Sequence, residues 1–414
     1  DGQEAGRRQS QHGGLYRSGA GRHQRARDRR SQITQELSMR SPLVSSLVAL
    51  GAALALAPAA AQDGSGLRYQ LSGFANFTVA KVLSGSNQSY MQWTCPCAIQ
   101  NWEYVGVYEK SKGWQADQES LVGVQGTVHL SDSVSATAQV LSRPNNFNYR
   151  PTIDWAYASW AVSDHWTLQA GRKRIPLYYY SDFLYIGTAY PWVRPPADVY
   201  GWPIYAYDGM NAAYTGQWGG ITVDANLWAG RFDRRDAPYD TKIYYSTPTN
   251  EKWESIAGGY LTLTQGEWST RLMLMRFKDT IWQTQAGAPD KIFTPGYSTV
   301  IGGISANYDG SHWLLRTELN RFKQSVSKFQ YDYYLAGLGY KWGELTGIGT
   351  VSRYVTRDLG AGFEGRLSYS LAVRYDLNKN WALKAQYDWS KDKTTAYTFF
   401  GDHRMLSFSA QTSF

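Results

Sequence analysis

Residues 366–389 read Arg-Leu-Ser-Tyr-Ser-Leu-Ala-Val-Arg-Tyr-Asp-Leu-Asn-Lys-Asn-Trp-Ala-Leu-Lys-Ala-Gln-Tyr-Asp-Trp, with a short polar turn between two alternating runs. Before the turn, apolar side chains occupy every second position through Leu371, Val373 and Tyr375. After the turn, the same alternation resumes at Trp381. A period of two over about eight to ten residues predicts a β-strand with one apolar face and one polar face. The segment therefore predicts a β-hairpin.

Seven short turns of this kind recur along the chain, and longer, more variable segments connect one hairpin to the next. The turns are Leu130–Val134, Val162–Trp166, Gly216–Gly220, Gln265–Trp268, Asp309–Trp313, Lys341–Leu345 and Asp376–Trp381. Short turns at one end and long loops at the other are typical of a transmembrane β-barrel. Seven turns join fourteen strands, and one free strand at each end makes sixteen. We therefore predict an all-β, antiparallel transmembrane barrel of about sixteen strands, with short periplasmic turns and long outer loops.

The first 61 residues are predicted to lie outside the barrel domain. Residues 1–38 are rich in Arg, Gln and Gly, and we expect an upstream non-native or disordered segment. The alternative is a basic tail that binds nucleic acid. Residues 39–61 combine a positive start, an apolar run and small residues before Ala61, which is typical of a secretory signal peptide. Residues 62–414 are predicted to form a single β-barrel domain.

Charge and hydropathy exclude several classes of protein. The net charge of the whole chain is +8, and removing residues 1–61 takes away nine Arg and four acidic residues, which leaves +3. This small charge, together with a secretory signal, argues against nucleic acid binding. No stretch after residue 61 reaches about 18 consecutive apolar residues, which excludes a helical membrane protein. A soluble β-sandwich is the alternative, but sixteen long strands exceed the usual size of an open sheet.

Four strands open with a tryptophan directly after a short turn, at Trp166, Trp268, Trp313 and Trp381. Amphipathic rings favour the boundary between lipid headgroups and hydrocarbon, and barrels carry girdles of them there. The alternative is that each ring simply packs on a neighbouring strand. Four equivalent positions favour the girdle.

The final run, Arg404 to Phe414, places Leu406, Phe408 and Ala410 on one face and ends on an aromatic residue. Together with the signal peptide, the turn count and the alternation, this run makes the chain resemble the trimeric, sixteen-stranded general porins of Gram-negative outer membranes. The resemblance covers residues 67–414 in architecture and includes no catalytic motif. It implies an outer-membrane location, a homotrimer, and a third long loop that folds into the lumen and narrows it.

The third long loop, Arg174–Asp208, is the most unusual segment in composition. Its 35 residues include eleven aromatic residues and five prolines. Aromatic rings need packing partners and proline restricts the backbone, so a solvent-exposed loop does not account for this composition. A loop folded against the inner wall of the barrel does. The alternative is an outer loop that packs on other loops or on a neighbouring subunit.

The alternation of side-chain direction along the strands places a set of charged residues on the polar, lumen-facing side of the barrel. The third loop contributes further charged residues. Charged groups that line a narrow pore set its ion preference. Similar porins oppose a basic cluster on the wall to acidic residues on the loop, but the arginines here lie on distant strands. We expect Asp182 and Asp198 to face a wall that carries Arg271, Arg316 and Arg374. The candidate constriction residues are Lys173, Arg174, Asp182, Asp198, Arg271, Arg316 and Arg374.

The two cysteines, Cys95 and Cys97, lie in the first long loop within Thr94–Ala98. The periplasm and the cell surface are oxidising, so a disulfide is possible, although it is geometrically tight across two residues. The alternative is a redox dithiol. No metal site is predicted, because the histidines after residue 61 are scattered. They are His129, His165, His312 and His403.

The sequence carries no nucleophile elbow, zinc motif or phosphate loop, so we predict neither an enzyme nor a cofactor. The predicted function is passive diffusion of small hydrophilic solutes and ions, with selection by size and charge at the third loop. One alternative is a solute-specific channel in which the tyrosine-rich loop stacks against aromatic or sugar-like ligands. Less favoured alternatives are an outer-membrane enzyme and a structural adhesin. The expected partners are solutes, ions, outer-membrane lipid and two further copies of the chain.

The predicted homotrimer rests on the early strands and the second long loop. The segments Ala136–Val140 and Trp155–Trp160 carry small and aromatic residues, and the latter is apolar on both faces. A wall pressed against another subunit suits this pattern better than lipid on one side and water on the other. The short second loop, Arg143–Tyr149, is expected to contact a neighbouring subunit, as in similar porins.

Overall fold

The computed structural model describes residues 60–62, 67–144, 149–200, 206–325, 329–357 and 362–414. The chain divides into two compact units, Asp1–Ala55 and Leu56–Phe414, and the described residues all belong to the second. The predictions for residues 1–38 and for nearly all of the signal peptide at 39–61 lie outside the described residues. The backbone of Ala60–Gln62 pairs with the first long strand.

Sixteen strands form the barrel. They are β1 (Arg68–Gly85), β2 (Leu121–His129), β3 (Val134–Ser142), β4 (Thr152–Ala161), β5 (Trp166–Arg174), β6 (Ala206–Trp218), β7 (Ile221–Arg234), β8 (Asn250–Gln265), β9 (Trp268–Gln283), β10 (Lys291–Asp309), β11 (Trp313–Gln324), β12 (Gln330–Trp342), β13 (Leu345–Arg357), β14 (Gly365–Asn378), β15 (Trp381–Asp392) and β16 (His403–Ser413). Each pairs antiparallel with the next along the chain.

The sheet closes on itself because β1 also pairs antiparallel with β16, from Phe74 opposite Ser413 to Gly85 opposite His403. Closure leaves no unpaired strand edge, which is the condition for a sheet to cross a bilayer, where water cannot satisfy backbone groups. The predicted all-β architecture and the strand count are therefore confirmed. No helix in the described part of the chain has the length and apolar character needed to cross a membrane.

The seven short turns lie where the sequence predicted them. Between β6 and β7, Gly219 and Gly220 both have positive φ, at 53° and 78°. Two consecutive residues with φ above zero are typical of the type I′ turn, whose twist matches the twist of paired strands. Gly266 and Gly343 have φ values of 56° and 60° in the turns after β8 and β12. Glycine at these positions lets the hairpins reverse direction within two residues.

The tryptophans that open strands face outward at the end of the barrel that carries the short turns. Trp166, Trp268 and Trp313 are 44%, 50% and 52% exposed. Each packs on a tyrosine of the neighbouring strand, with ring centroids about 5 Å apart. The tryptophans therefore form an aromatic girdle at this end of the barrel. They also pack on the neighbouring strands, which was the alternative interpretation of these positions.

The hydrophobic core lies inside the barrel and consists largely of loops. The first loop (residues 86–120) contributes the short strands Ser89–Tyr90, Trp93–Thr94, Cys97–Asn101 and Gly106–Glu109 and the 3₁₀-helix Lys110–Lys112. The third loop (residues 175–205) carries the 3₁₀-helices Ser181–Phe183 and Gly187–Ala189, and the fourth loop (residues 235–249) carries the π-helix Asp240–Tyr245. Aromatic residues of these loops and of the eighth loop (residues 393–402) form one buried cluster with the inner wall.

Candidate pore constriction

The third loop crosses the lumen from β5 to the opposite wall, as predicted. The indole Nε1 of Trp192 donates to Thr350 Oγ1 on β13 at 2.9 Å. The backbone N–H of Val193 donates to Gln386 Oε1 on β15 at 2.8 Å, and Gln411 Nε2 on β16 donates to the Val193 carbonyl at 2.9 Å. The loop is thus held against three strands that are remote from its point of entry, and it narrows the lumen.

Lys384 on β15 binds this loop through three hydrogen bonds. Its ammonium is almost fully buried and donates to the carbonyls of Gly187, Tyr190 and Trp192 at 2.7, 2.6 and 2.7 Å. The ammonium also lies 4.7 Å from the centre of the Tyr190 ring, a cation–π contact. All three donor sites of the lysine are therefore used by one loop. The loop approaches closely here, since a Cβ on Gly187 would lie 2.4 Å from the Gln411 side chain.

Two of the predicted constriction arginines also bind backbone carbonyls of the third loop. Arg374 donates to the carbonyls of Thr188 and Tyr190 at 2.7 and 3.0 Å. Arg271 donates to the Pro176 carbonyl at 3.0 Å. Both positions are on the inner wall, as parity predicted. Their side chains fix the loop instead of standing free in the channel.

Arg316 is also on the inner wall, but it contacts the wall itself. It donates to Asp309 Oδ1 at 2.6 Å and to the Tyr308 carbonyl at 3.0 Å. Asp309 lies at the end of β10, next to the short turn that leads to β11. The positive charge of Arg316 is therefore largely balanced by its own hairpin.

Arg174 belongs to a buried ion-pair network where the third loop leaves β5. Its guanidinium binds Glu103 of the first loop at 3.0 Å and Asp154 of β4 at 3.2 Å, and its side chain is 2% exposed. Arg143 binds the same Glu103 at 2.8 Å, and the Tyr185 hydroxyl donates to it at 2.8 Å. Burial alone would raise the pKa of Glu103, but the surrounding arginines lower it to about 2. The network joins the first and third loops.

Asp198 does not face the arginines of the predicted basic wall. It forms a buried ion pair with Arg366 at the start of β14, and Ser352 Oγ donates to it at 2.9 Å. Asp198 is 1% exposed. The expected pairing with the wall of Arg271, Arg316 and Arg374 is wrong for this residue, because the loop path carries Asp198 to β13 and β14 near their extracellular ends.

Of the three arginines of the expected wall, Arg271 acts on Asp182. Asp182 is partly exposed, and Arg271 and Lys173 are among the cations that act on it. Burial raises the pKa of Asp182 above its ordinary value, and these neighbouring cations oppose that rise. The Lys173 ammonium is partly buried and lies 5.0 Å from the centre of the Tyr157 ring. Among the predicted residues, Arg271, Lys173 and Arg174 are thus the cations whose charges act on Asp182.

A second connection between loops and wall lies at Arg194. Its guanidinium binds Glu119 at the end of the first loop at 2.6 Å and Asp388 on β15 at 3.3 Å. It also donates to Ser407 Oγ on β16 at 3.0 Å. Beside it lies a cavity of about 50 Å³, bounded by both loops and by β1. A cavity of this size holds only a few water molecules.

On the extracellular side of the third loop, directly before β14, tyrosine hydroxyls bind the carboxylate of Glu364. Glu364 is 2% exposed, and it accepts hydrogen bonds from the hydroxyls of Tyr244, Tyr354 and Tyr397. Burial raises the pKa of this carboxyl. The three hydroxyls that donate to this carboxylate are neutral. This side of the lumen therefore carries negative charge among aromatic rings.

Cys95 and Cys97 are joined by a disulfide in the first loop, with an S–S distance of 1.93 Å. Both residues are buried within the aromatic cluster of that loop. Within the described ranges, no group of three or more His, Cys, Asp and Glu side chains is arranged to hold a metal ion.

Comparison with known proteins identifies the family. Residues 46–395 match the sequence profile of a family described as Gram-negative porin. The chain belongs to this family. Its function is accordingly that of an outer-membrane porin channel, and the predicted family and location are confirmed. No curated protein sequence matches the chain.

Several solved structures of outer-membrane proteins are similar to this porin. The outer membrane channel DcaP of Acinetobacter baumannii shares 13% identity with a TM-score of 0.57, over 86% of this chain and 100% of that chain. The anion-selective porin from Comamonas acidovorans shares 14% identity with a TM-score of 0.51, over 84% and 100%. The trimer form of in-vitro folded OmpT from Vibrio cholerae shares 10% identity with a TM-score of 0.51, over 84% and 99%. At such low identity the likeness shows the fold.

Proposed function

We propose that this porin lets small hydrophilic solutes and ions diffuse passively past the third loop, which selects them by size and charge. The observation that carries the proposal is the fixed position of the loop across the lumen. Its carbonyls accept from Lys384 on β15 and Gln411 on β16, the backbone N–H of Val193 donates to Gln386 on β15, and the Trp192 side chain donates to Thr350 on β13. A loop with this many buried hydrogen bonds acts as a fixed sieve.

Charge selection is proposed at the group formed by Lys173, Asp182 and Arg271. Two cations and one carboxylate leave a net charge of +1 beside the loop, and in a narrow pore this field acts at short range with little screening. We therefore expect a weak preference for anions. Asp182 lowers this preference, and Lys173 raises it.

Reversal potentials in planar bilayers with asymmetric KCl test this proposal. Asp182→Asn should raise the permeability of chloride relative to potassium, and Lys173→Gln should lower it, with larger effects at low salt. Lys379→Gln, in the exposed turn before β15, is the matched control for removing one positive charge. Equal reversal potentials in all four proteins would place charge selection elsewhere in the channel.

A solute-specific channel is the second candidate, and the aromatic rings of the third loop bear on it directly. Tyr178, Tyr180 and Trp192 are 2%, 5% and 0% exposed; Tyr180 packs on Trp192, and Tyr178 packs on Tyr200 and on Tyr333 of β12. Rings buried in this way have no free face for stacking on a solute. Tyr179 is only partly buried. Simple diffusion is therefore the better-supported function, and membership of a channel family favours transport over enzymatic activity.

We also propose that the working form is a homotrimer. The outward face of β3 to β7 contains an apolar groove of about 500 Å³. Small side chains form its floor at Ala158, Ala170, Ala212 and Ala229, and Met210 stands beside it with 69% exposure. A small-residue surface allows the backbones of two subunits to approach closely. The second loop contributes Arg143 to the intrachain network, while residues 145–148 lie outside the described part of the chain.

Mass measurement in mild detergent tests the oligomeric state. Wild-type protein is expected at three times the chain mass, and Ala158→Glu should shift it to the monomer because the carboxylate would be buried at the contact. Ala385→Glu, which faces outward on β15 away from the groove, is the control. A wild-type monomer at high concentration would contradict the proposal.

A further inference from the structure

The fourth loop (residues 235–249) brings an acidic side chain to two others on the inner wall of the barrel. Asp240 is the first residue of its π-helix, Glu251 lies near the start of β8, and Asp279 lies on β9. Each of the three is 3% exposed. The strand register places Asp279 opposite Trp253, two residues from Glu251, so the two wall acids are diagonal neighbours. We call these three acids the carboxyl cluster.

Two buried oxygen atoms of the carboxyl cluster, Asp240 Oδ2 and Asp279 Oδ1, have no hydrogen-bond partner within the ranges that the structure describes. Asp240 also lies in hydrogen-bonding range of Glu251, whose Oε1 accepts from Trp253 Nε1 at 2.8 Å. A hydrogen bond between two carboxyl groups needs a proton on one of them, because an ionised carboxylate only accepts. The cluster therefore holds at least one proton in this arrangement, and its unpartnered oxygens leave a further buried charge poorly compensated.

The charges around the carboxyl cluster do not neutralise it. Arg234 at the end of β7 acts on Asp240, but its guanidinium also lies 4.0 Å from Glu103 and is shared with the ion-pair network there. Burial and the two neighbouring acids raise the pKa of Asp240 well above its ordinary value, and Arg234 opposes this only in part. The other charged or titratable groups on the segments around the cluster are Tyr90, Asp236, Tyr239, Lys242, Tyr245, Lys252, Glu254 and Lys278.

The backbone on both sides of the π-helix is strained. Asp236 precedes the helix with a φ of 47°, and Ser246 follows it with a φ of 58°. Positive φ is uncommon for residues other than glycine and persists only where the surrounding contacts hold it. The segment between these two positions is therefore fixed by its packing and its side-chain contacts, and it is free to move as a unit when those contacts weaken.

The π-helix lies in the aromatic cluster that fills the extracellular side of the lumen. Ile243 is fully buried, and the Tyr90 hydroxyl of the first loop donates to its carbonyl at 2.5 Å. Tyr239 is 7% exposed and packs on Trp102 of the first loop, with ring centroids 6.2 Å apart. Displacement of the fourth loop would therefore widen the path from the outside to the third loop.

We propose that the fourth loop is a proton-dependent lid, which is closed while the carboxyl cluster holds a proton and is released when the cluster ionises. This regulation rests on the proposed function, because a lid acts on permeation only in a conducting channel. The closed position is fully stabilised below 3.8, the ordinary pKa of an aspartate, and this stabilisation is lost as the pH rises through the raised pKa of Asp240. Above that range, the ionised carboxylates repel one another and the loop leaves the wall.

Hydrogen exchange of residues 235–249 in the purified porin tests the lid directly. After correction for the intrinsic effect of pH, exchange should be at least about tenfold faster near pH 9 than near pH 5, because each unit by which a pKa is raised changes the opening equilibrium about tenfold. Single-channel conductance in symmetric KCl should rise over the same pH range. The double variant D240N/D279N should show neither change, because an amide at each position keeps the cluster as it is when protonated.

Glu254→Gln is the matched control, since Glu254 is an exposed carboxylate at the same end of β8 that binds Lys252 at 3.0 Å. This variant should keep the full response to pH. D279N alone covers the case in which the double variant does not fold, and it should show a smaller response because two carboxyls repel less than three.

Loop exchange that does not depend on pH in the wild type overturns the lid. An undiminished response in D240N/D279N or D279N also overturns it, since Glu364 is still present in both variants and would then be the group that titrates. A wild-type barrel that does not conduct contradicts the proposed diffusion function, and the exchange measurement decides the lid in that case too.

Discussion

The two sides of the third loop have opposite chemistry, although the same polar-face alternation lines both. Toward the short turns, the wall presents Lys384, Arg374 and Arg271, which donate to loop carbonyls. Toward the outer loops, Glu364 is held by tyrosine hydroxyls, and Asp198 is neutralised by Arg366. A charged side chain on the inner wall therefore does not always act on a permeating ion. Its hydrogen-bond and ion-pair partners determine how much it contributes to the electrostatic field in the lumen.

The largest expected effect is on the outer-loop side, at the ion pair of Asp198 and Arg366. Asp198→Asn leaves the guanidinium buried without a countercharge, which should cost about 3–5 kcal/mol of stability. Thermal unfolding followed by the gel shift of the folded barrel measures it. Ser352→Ala removes only one neutral donor to Asp198 and should cost about 1 kcal/mol. If the two variants unfold at the same temperature, the ion pair does not hold the loop.

Nearly as large an effect is expected at Lys384 on the other side of the loop. Lys384→Met keeps the length of the side chain but removes the donor to the Gly187 and Trp192 carbonyls, while Arg374 still donates to the Tyr190 carbonyl, at a cost on the order of 3 kcal/mol. The loop should detach from β15, so that single-channel recordings show higher and noisier conductance. Lys379→Met is the matched control in the exposed turn. Unchanged conductance in a folded Lys384→Met barrel would mean that the other contacts suffice to hold the loop.

The network around Glu103 predicts a dependence of stability on pH. The pKa of this carboxyl is lowered from 4.5 to about 2 in the folded protein. Its stabilising contribution is therefore complete above pH 4.5 and is lost as the pH falls toward 2. The loss amounts to at most about 3 kcal/mol. Unfolding temperatures measured between pH 7 and pH 2.5 should fall less steeply for Glu103→Gln than for the wild type. Parallel curves would show that Glu103 does not contribute.

The smallest expected effect concerns ion selection by Glu364. Glu364→Gln removes a negative charge from the outer side of the loop and should modestly lower the permeability of potassium relative to chloride. Burial raises the pKa of Glu364, so the wild-type channel should approach the behaviour of the variant as the outer pH falls, starting above the usual range for a carboxyl. Reversal potentials at several values of outer pH measure both. A variant with the same pH response as the wild type would show that another group titrates.

The fold was predictable because its signals are local. The alternation of side chains and the short turns each lie within about ten residues of sequence, and a closed barrel is the architecture that accommodates sixteen such strands. The inner-wall positions of Arg271 and Arg374 followed from the same parity. Their partners did not follow, because they depend on the path of the third loop through space.

Other parts of the site had no sequence signal of their own. Glu103 is one acidic residue of the first loop among several, and its partners Arg143 and Arg174 lie 40 and 71 residues away. Asp198 and Arg366 are separated by 168 residues. Lys384 was recognisable as a lumen-facing cation, but its three bonds to carbonyls required the loop backbone. Long-range pairing of this kind is what the three-dimensional structure adds.

The seam between β1 and β16 has a consequence for assembly. β16 contacts the third loop through Ser407 and Gln411 while its backbone pairs with β1 and β15. Sealing the wall and docking the loop are therefore coupled events, each of which makes the other more favourable. A barrel that closes with the third loop still outside the lumen lacks the hydrogen bonds of Ser407 and Gln411 to the loop. Its lumen also remains wider than in the folded protein. The porin thereby links the completion of its wall to the moment at which it becomes a selective barrier.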